Sequence, residues 1–447
     1  MSVRRLSWFL YASYAAGSVG TGGFGTVPGL LLLYYLTNTL GVSPVLAGAV
    51  VFAPKAWDIV LNPYVGQMSD RSVAKRGTRG PFLLAGALTL PVFFLAMFFP
   101  SPSWSPHASA LWVAVTFLLA ATAFSVFQVP YIALPAEITD SYEERTSLMS
   151  YRITLLAIAI LLFGAGAPAL VQALGGGLRG YRWMAVTAAL VICAGLLSAW
   201  AGVRRARPIL LASAAEGSLL DQLRVAQRSR MFLVLLGAYM AQALATGCML
   251  AGAPYVATYV LDDPHATTVL FASLITPAIV VMPLWTWLSR RWGKKTGWLV
   301  ASGLFGTSAA CLCAASALPR TVVLALVGAC GVGYAGMQLF PLAMLPDAIQ
   351  LYEHRAGEKR AGVFTGLWTA GETVSLALGP AAYSTVLALT GFASSRAGEK
   401  VAQTALAVHG VVLGFGAVPA VFLWLSLLLV RKYAISADDL AAARRSG

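Results

Sequence analysis

Charge is what this chain has least of. Of its 447 residues only 11% are charged, against about 25% in an ordinary soluble chain, while 58% are hydrophobic and the mean hydropathy is +0.75. That balance excludes a soluble globular fold and points to an all-α polytopic membrane protein. Acids are scarcer than bases, 17 to 31, which leaves a net charge of +14. The bases are spread between apolar runs, so they mark membrane sidedness and not nucleic-acid binding. The four histidines include His107, His265 and His354 in expected loops and a solitary His409 near the start of the last span. No His, Cys or Ser cluster has catalytic spacing, so neither an enzyme nor any catalytic residue is expected. The five cysteines, 193, 248, 311, 313 and 330, sit inside apolar stretches without zinc or disulfide spacing. They read as small packing residues, and no metal site or bound cofactor is expected. A cleavable leader is not expected either, because the apolar run after Arg4 and Arg5 continues to about Tyr35.

What is present is a series of long apolar runs. A span needs roughly 20 apolar residues, and on that measure twelve are expected: 8–37, 44–69, 81–100, 109–135, 147–174, 182–203, 231–261, 267–288, 297–317, 321–345, 361–391 and 403–430. An even number places both termini on one side. With the termini and the even-to-odd loops in the cytoplasm, 24 of the 31 basic residues lie inside and 5 outside, the asymmetry that sets orientation. The expected location is therefore the plasma (inner) membrane, with cytoplasmic termini. The longest polar interruption, 204–230, separates a bundle over 1–203 from one over 231–430, with a tail at 431–447. Its second part, with Leu219, Leu220, Leu223 and Val225 among charges, is either an amphipathic surface helix or a solvated linker.

The two halves repeat each other. Val129-Pro130, Leu134-Pro135 and Ile138 at the end of span four return at a constant offset as Phe340-Pro341, Leu345-Pro346 and Ile349 at the end of span ten. The basic turn from Asp70 to Arg79 has a counterpart in Arg290, Arg291, Lys294 and Lys295. Two parallel six-helix repeats are the architecture of major facilitator transporters, whose substrate site lies near mid-membrane between the repeats.

Four charges fall within spans: Lys55, Asp58, Arg152 and Glu372. Each costs about 2.5 to 3.5 kcal/mol on insertion scales, so such residues face the bundle interior and are paired or functional. Lys55 and Asp58, three apart, share a helical face; they form either a static ion pair or a site where Asp58 exchanges a proton or cation. Arg152 has no acid one turn away. Its planar fork suits a carboxylate or phosphate, the alternative being an acid on a neighbouring helix. Glu372 reads as a second protonatable site or as the partner of Arg152. Trp57, Gln128, Tyr131, Gln338 and Trp368 would give a mostly neutral aromatic and amide lining, unless they are ordinary helix contacts. Span one, with Gly17, Gly20, Gly22, Gly23, Gly25 and Pro28, is expected to break at a cavity, close helix packing being the other reading.

Trp57-Asp58 with Asn62-Pro63 and Gly66, the Val129–Pro135 segment, Ser150-Tyr151-Arg152-Ile153-Thr154 and Phe340–Asp347 together resemble the glycoside-pentoside-hexuronide:cation symporter family over nearly the whole chain. The resemblance implies a major facilitator fold and secondary transport. It assigns Asp58 to the first acid of the cation site, keeps a basic residue at Lys55, and puts Asn62 where the second acid falls. It places Gln128 and Thr21 where sugar-transporting members carry charges, Arg152 where a polar substrate group is held, and Thr373 near the family lysine of span eleven. Asp70-Arg71 looks like the cytoplasmic gating motif of major facilitators, although positive-inside anchoring explains the bases of that turn equally well. One carboxylate, an amide and hydroxyls are fewer oxygen ligands than a sodium ion takes, so the gradient used is expected to be of protons before sodium.

The expected protein is thus a monomeric secondary transporter in the lipid bilayer. It takes up or exchanges a small or medium organic solute with an acidic or zwitterionic group, by alternating access of the two bundles. The alternatives are an exporter or flippase of an amphipathic metabolite or lysolipid and, from another class, a transport-inactive sensor or a channel on the same scaffold.

Overall fold

The computed structural model describes residues 6–139, 141–204, 227, 229–356, 361–399 and 401–433. Most of the 204–230 stretch, with its expected surface helix, and all but the first residues of the tail lie outside the described residues.

Each apolar run becomes a helix, and the polar residues between runs set its ends. The helices are α1 (Trp8–Asn38), α2 (Pro44–Arg76), α3 (Gly80–Met97), α4 (Pro106–Ile138), α5 (Tyr142–Ala173), α6 (Gly177–Val203) and α7 (Arg230–Tyr259). After them come α8 (Ala266–Val280 and Met282–Trp292), α9 (Lys294–Ala317), α10 (Arg320–Ala356), α11 (Ala361–Leu389) and α12 (Ala405–Arg431). The side chains of Ser7, Ser105, Ser141, Ser229 and Thr404 accept from backbone N–H groups in the first turns of α1, α4, α5, α7 and α12, satisfying donors the helix leaves unpaired. Gly77, at φ +68°, closes α2 in the left-handed conformation that a side chain would disfavour.

Ten of these helices are long and apolar enough by themselves to cross a membrane, and the two pieces of α8 pass together as a span bent by 50°. The twelfth, α11, is 29 residues long, but Glu372 and a run of glycines and threonines keep its hydropathy down.

The expected break in span one is not found. The chain stays helical through Pro28, whose missing N–H is absorbed by a π-helical turn over Pro28–Leu32. The glycines of α1 serve contact instead: a Cβ on Gly23 would lie 2.7 Å from the Phe163 ring, and one on Gly20 would lie 2.5 Å from Leu196. The break falls in span eight, at Val281. There Pro283 offers no N–H to the carbonyl one turn back, and its ring crowds that carbonyl.

The chain forms two compact units, Met1–Ala214 with Ala393–Ala402, and Ala215–Phe392 with Gln403–Gly447. In the first, the main helix pairs are α1 with α5 and α6, α4 with α2 and α3, and α3 with α6. In the second they are α7 with α11 and α12, α10 with α8 and α9, and α9 with α12. Adding six to each label of the first set gives the second, so the sequence repeat is a repeat of packing. Ala393–Ala402, from within the stretch expected to belong to the second bundle, is laid along the end of α1. Ser395 N–H donates to Thr37 O at 2.9 Å, Ala397 N–H to Thr39 O at 3.0 Å, and Ser394 Oγ to Val42 O at 2.7 Å.

Each unit also ties the turn after its second helix to the end of its fourth. In the first, buried Arg79 reaches Glu137 Oε1 at 2.6 Å and Asp70 Oδ1 at 2.5 Å, and donates to Ser69 Oγ. Burial opposes the Arg79 charge, but the hydrogen bonds and charges of Glu137 and Asp70 outweigh it and raise its pKa above the ordinary value. In the second unit, Lys294 Nζ reaches Asp347 Oδ2 at 2.6 Å and the Ala343 carbonyl at 2.9 Å. Asp70, expected to act with Arg71, is therefore bound to Arg79 instead, while Arg71 is exposed. A fork nine residues on can close back across the turn, whereas the next residue along a helix points some 100° away.

The two ties differ in burial, and their removal should differ accordingly. Arg79→Ala leaves Glu137, 4% exposed, buried without its cation, and is expected to cost about 3–5 kcal/mol. Lys294→Ala removes a side chain that is 43% exposed and is expected to cost at most about 1 kcal/mol. Unfolding midpoints of the purified variants in one detergent check this; equal losses would refute the distinction.

Candidate functional site

In the first unit, α2 carries Lys55 and Asp58 toward α4 and α1. Asp58 is 4% exposed and accepts a hydrogen bond from Ser125 Oγ on α4 at 3.2 Å. Lys55 makes no ion pair with Asp58 within 4.0 Å; its ammonium lies 5.2 Å from the centroid of Phe24 and 5.9 Å from that of Phe124. Ring faces carry the negative part of the aromatic quadrupole, so two rings hold the ammonium in place. The static pair that the i, i+3 spacing allows is thus loosened in this structure into a carboxylate bound to a hydroxyl and a cation bound to rings. Asn62, one turn beyond Asp58, is exposed, and no hydrogen bond joins it to Asp58. Trp57 is 41% exposed and donates from Nε1 to Thr122 Oγ1 on α4 at 3.1 Å.

Along α4, Ser125, Gln128 and Tyr131 follow one another at three-residue intervals and so share a face. Gln128 Oε1 is buried without a hydrogen-bond partner. Tyr131 is fully buried and clasps α1: its hydroxyl donates to Tyr14 O at 2.6 Å and lies 3.2 Å from Ser18 Oγ, and the Tyr14 hydroxyl donates back to Tyr131 O at 3.3 Å. Its hydroxyl is therefore already engaged in holding helices together. Thr21 is likewise buried and turned to the Ser18 carbonyl at 3.4 Å.

Arg152, on α5, is only 9% exposed and lies with its guanidinium 5.4 Å from the Tyr131 ring centroid. Its Nε has no hydrogen-bond partner, and no carboxylate comes within ion-pair distance of it among the described residues. The α4 face thus runs from the carboxylate of Asp58, through Ser125, an unpaired amide oxygen and Tyr131, to the guanidinium of Arg152, which has no carboxylate partner among the described residues and whose Nε is unpaired.

In the second unit, Glu372 on α11 accepts from the Tyr239 hydroxyl on α7 at 2.6 Å. Trp368, one turn before Glu372, stacks on Tyr239 with centroids 4.3 Å apart and planes at 19°; its Nε1 is buried and unpartnered. Thr373 turns its hydroxyl to the Thr369 carbonyl at 2.9 Å, and Gln338 is half-buried on α10.

Sequence reasoning did not single out Tyr239, whose only signal is a hydroxyl in an apolar run. It also passed over Gln242, which is 2% exposed, accepts from Trp298 Nε1 at 3.0 Å and donates to Ser302 Oγ at 2.8 Å and Ser426 Oγ at 3.1 Å. That network is fully satisfied and joins α7, α9 and α12 structurally. A lone glutamine in an apolar run, with Trp298 and Ser302 four residues apart, is the signal that marks it.

Residues 13–437 match the family described as MFS/sugar transport protein. The chain is 24% identical to an uncharacterized symporter of Synechocystis sp., covering 98% of this chain and 96% of that one. It is 22% identical to the glucuronide carrier protein homolog of Escherichia coli, covering 97% and 94%. Among solved structures, the crystal structure of a D-xylose-proton symporter superposes with a TM-score of 0.70 at 12% identity, over 97% of this chain and 99% of that one. At that identity the likeness shows the fold, twelve helices of the major facilitator type. The chain belongs to the MFS/sugar transport protein family, and it is an integral membrane protein and a secondary active transporter, not an enzyme.

Proposed function

We propose that the chain carries an organic solute with a carboxylate or phosphate group, alone or as part of a zwitterion, and that Arg152 receives that group. The observation that carries this reading is the state of Arg152: 9% exposed, set over Tyr131, with Nε unpaired. A buried guanidinium without a counter-charge is costly unless an anion arrives, and its fork matches two oxygens of one anion. Gln128 Oε1, on the same α4 face as Tyr131, accepts a hydroxyl or N–H of the same solute. The name of one relative, a glucuronide carrier homolog, supports the choice, since a glucuronide bears a carboxylate.

Asp58 is the coupling group on this reading. Its carboxylate is buried beside Ser125, and the positive charge a sodium ion would supply is already present as Lys55 three residues earlier. The few oxygen donors around Asp58 favour a proton over a metal ion, which takes several oxygen ligands. On this reading the transporter is a monomer of the plasma membrane with both termini cytoplasmic, the orientation being supported by the 24-to-5 division of Lys and Arg.

Proteoliposome transport of a panel of organic acids and zwitterions, under imposed proton or sodium gradients, tests both assignments. Arg152→Ala is expected to weaken the transported acid by roughly 1.5–3 kcal/mol, the range for a hydrogen bond to a charged group, read as a raised KM. Arg152→Lys should restore little, because a point charge doesn't reproduce the fork. Normal transport by Arg152→Ala would remove the anion from the reading. For Asp58→Asn the expected outcome is different: accumulation driven by a proton gradient is lost while solute exchange at equal pH persists. Accumulation that survives in Asp58→Asn, or that follows sodium in the parent, would show that Asp58 is not the proton site.

A further inference from the structure

The second unit contains a carboxylate that the reading above leaves unused. On α11, Gly362, Thr365, Gly366 and Thr369 are exposed at three- and four-residue spacing, and Glu372 and Thr373 continue the stripe half-buried. The hydroxyls of Thr365, Thr369 and Thr373 turn back to carbonyls of their own helix, as polar side chains on a span do to limit their cost. A stripe of hydroxyls that ends in a carboxylate does not face hydrocarbon without penalty; it suits water.

The surroundings of Glu372 fix where the acid points. Its Oε1 accepts from Tyr239 at 2.6 Å, and Tyr239 is held by stacking on Trp368, both rings being at most 3% exposed. Tyr239 and Trp368 belong to the core of the unit, with Phe232, Leu235, Phe364 and Leu367. Oε2 has no hydrogen-bond partner, and no Lys, Arg or His lies within ion-pair distance of Glu372 among the described residues. The indole N–H of Trp368, in a residue 97% buried, is also unpaired. The half-buried carboxylate thus keeps one oxygen open, one helical turn from a buried N–H that is unmatched.

We infer that Glu372, aimed by Tyr239 and Trp368, is a binding site for the protonated amine of an organic solute. A carboxylate with one oxygen pinned and the other open accepts N–H donors from a primary ammonium through charge-assisted hydrogen bonds. The two aromatic rings do not form a cage for a quaternary ammonium, because their faces are covered by each other and by the core. The ligand is therefore recognised by its N–H groups and not by cation–π contact. Tyr239 and Trp368 are positioning residues. The inference deepens the transport reading and rests on the chain being a solute carrier, but not on the role of Arg152.

The test is the unfolding midpoint of the purified full chain in detergent, titrated with ethylammonium and with tetramethylammonium against sodium at equal ionic strength. The parent is expected to show a saturable rise with ethylammonium and a response to tetramethylammonium weaker by roughly tenfold or more, as suits N–H recognition. Glu372→Gln should weaken ethylammonium by roughly tenfold or more, and Tyr239→Phe, which keeps the stacked ring, by a few-fold. If Glu372→Gln does not yield monodisperse protein, Glu372→Asp, one methylene shorter, is expected to show the same loss in part. No saturable rise in the parent, an equal response to tetramethylammonium, or undiminished affinity in the Glu372 variant overturns the inference. So does a variant that binds ethylammonium normally but has lost proton-driven uptake, since Glu372 is then a proton site. Arg152→Ala titrated with propionate in the same assay addresses the anion reading separately, so either can fail alone.

Discussion

An ionised group in hydrocarbon has to find a counter-charge, a polar partner or water, and this one demand orders the few charges of the chain. The demand is met in three ways. Arg79 is met completely, by two carboxylates and a hydroxyl, and Lys294 by a carboxylate and a carbonyl. Lys55 and Asp58 are met by softer partners, ring faces for one and a hydroxyl for the other. Arg152 and Glu372 keep an unfilled contact each, at Nε and at Oε2. A satisfied pair buried at the end of a helix can only hold; an unsatisfied one inside a span is the kind that exchanges partners. That gradient is the physical ground for separating scaffold from site.

The internal repeat sharpens the separation. The same five helix pairs recur in both units, and both units tie the turn after the second helix to the end of the fourth. The ties are not copies. Under the register set by Pro130 with Pro341 and Pro135 with Pro346, Glu137 falls opposite Ala348, and Asp347 falls opposite Ala136. One residue turns a helix by about 100°, so the acid of the second unit looks in another direction and takes its cation from the first residue of α9 instead of the one before α3. What the two halves share is the demand for a charged tie at that corner. The side chains that meet it differ in position and in burial.

Much of this was legible in the residues because membranes make simple demands. Twelve apolar runs, the proline register and the Lys and Arg bias each report a constraint that acts on the sequence one residue at a time. The errors lie where the constraint acts between helices. Pro28 and Pro283 look alike in sequence, yet the first is absorbed in a π-turn, on a helix whose glycines seat it tightly on its neighbours, while the second bends its span. Arg71 and Arg79 are both bases in a basic turn, and the positive-inside rule, which counts charges without regard to contacts, gives no means of telling which one closes on Asp70. Tyr239 carries no mark among the other tyrosines of the chain; only the approach of α7 to α11 makes it the partner of Glu372.

The separation of Lys55 from Asp58 bears on how a site of this kind can couple two events. A tight ion pair stabilises the ionised form of both members, and a carboxylate so held gives up its role as an exchangeable acid. Here the ammonium is anchored by Phe24 and Phe124, from α1 and α4, and the carboxylate by Ser125, also from α4. The two charges are near enough to feel each other, yet each has its own tether. Under the proposed reading, a shift of α2 against α1 and α4 changes both tethers together, so the ease of protonating Asp58 follows the position of the helix. Coupling then needs no metal ion and no second carboxylate, and an amide at position 62 costs the mechanism nothing, because the opposing charge that Asp58 senses is the lysine one turn away.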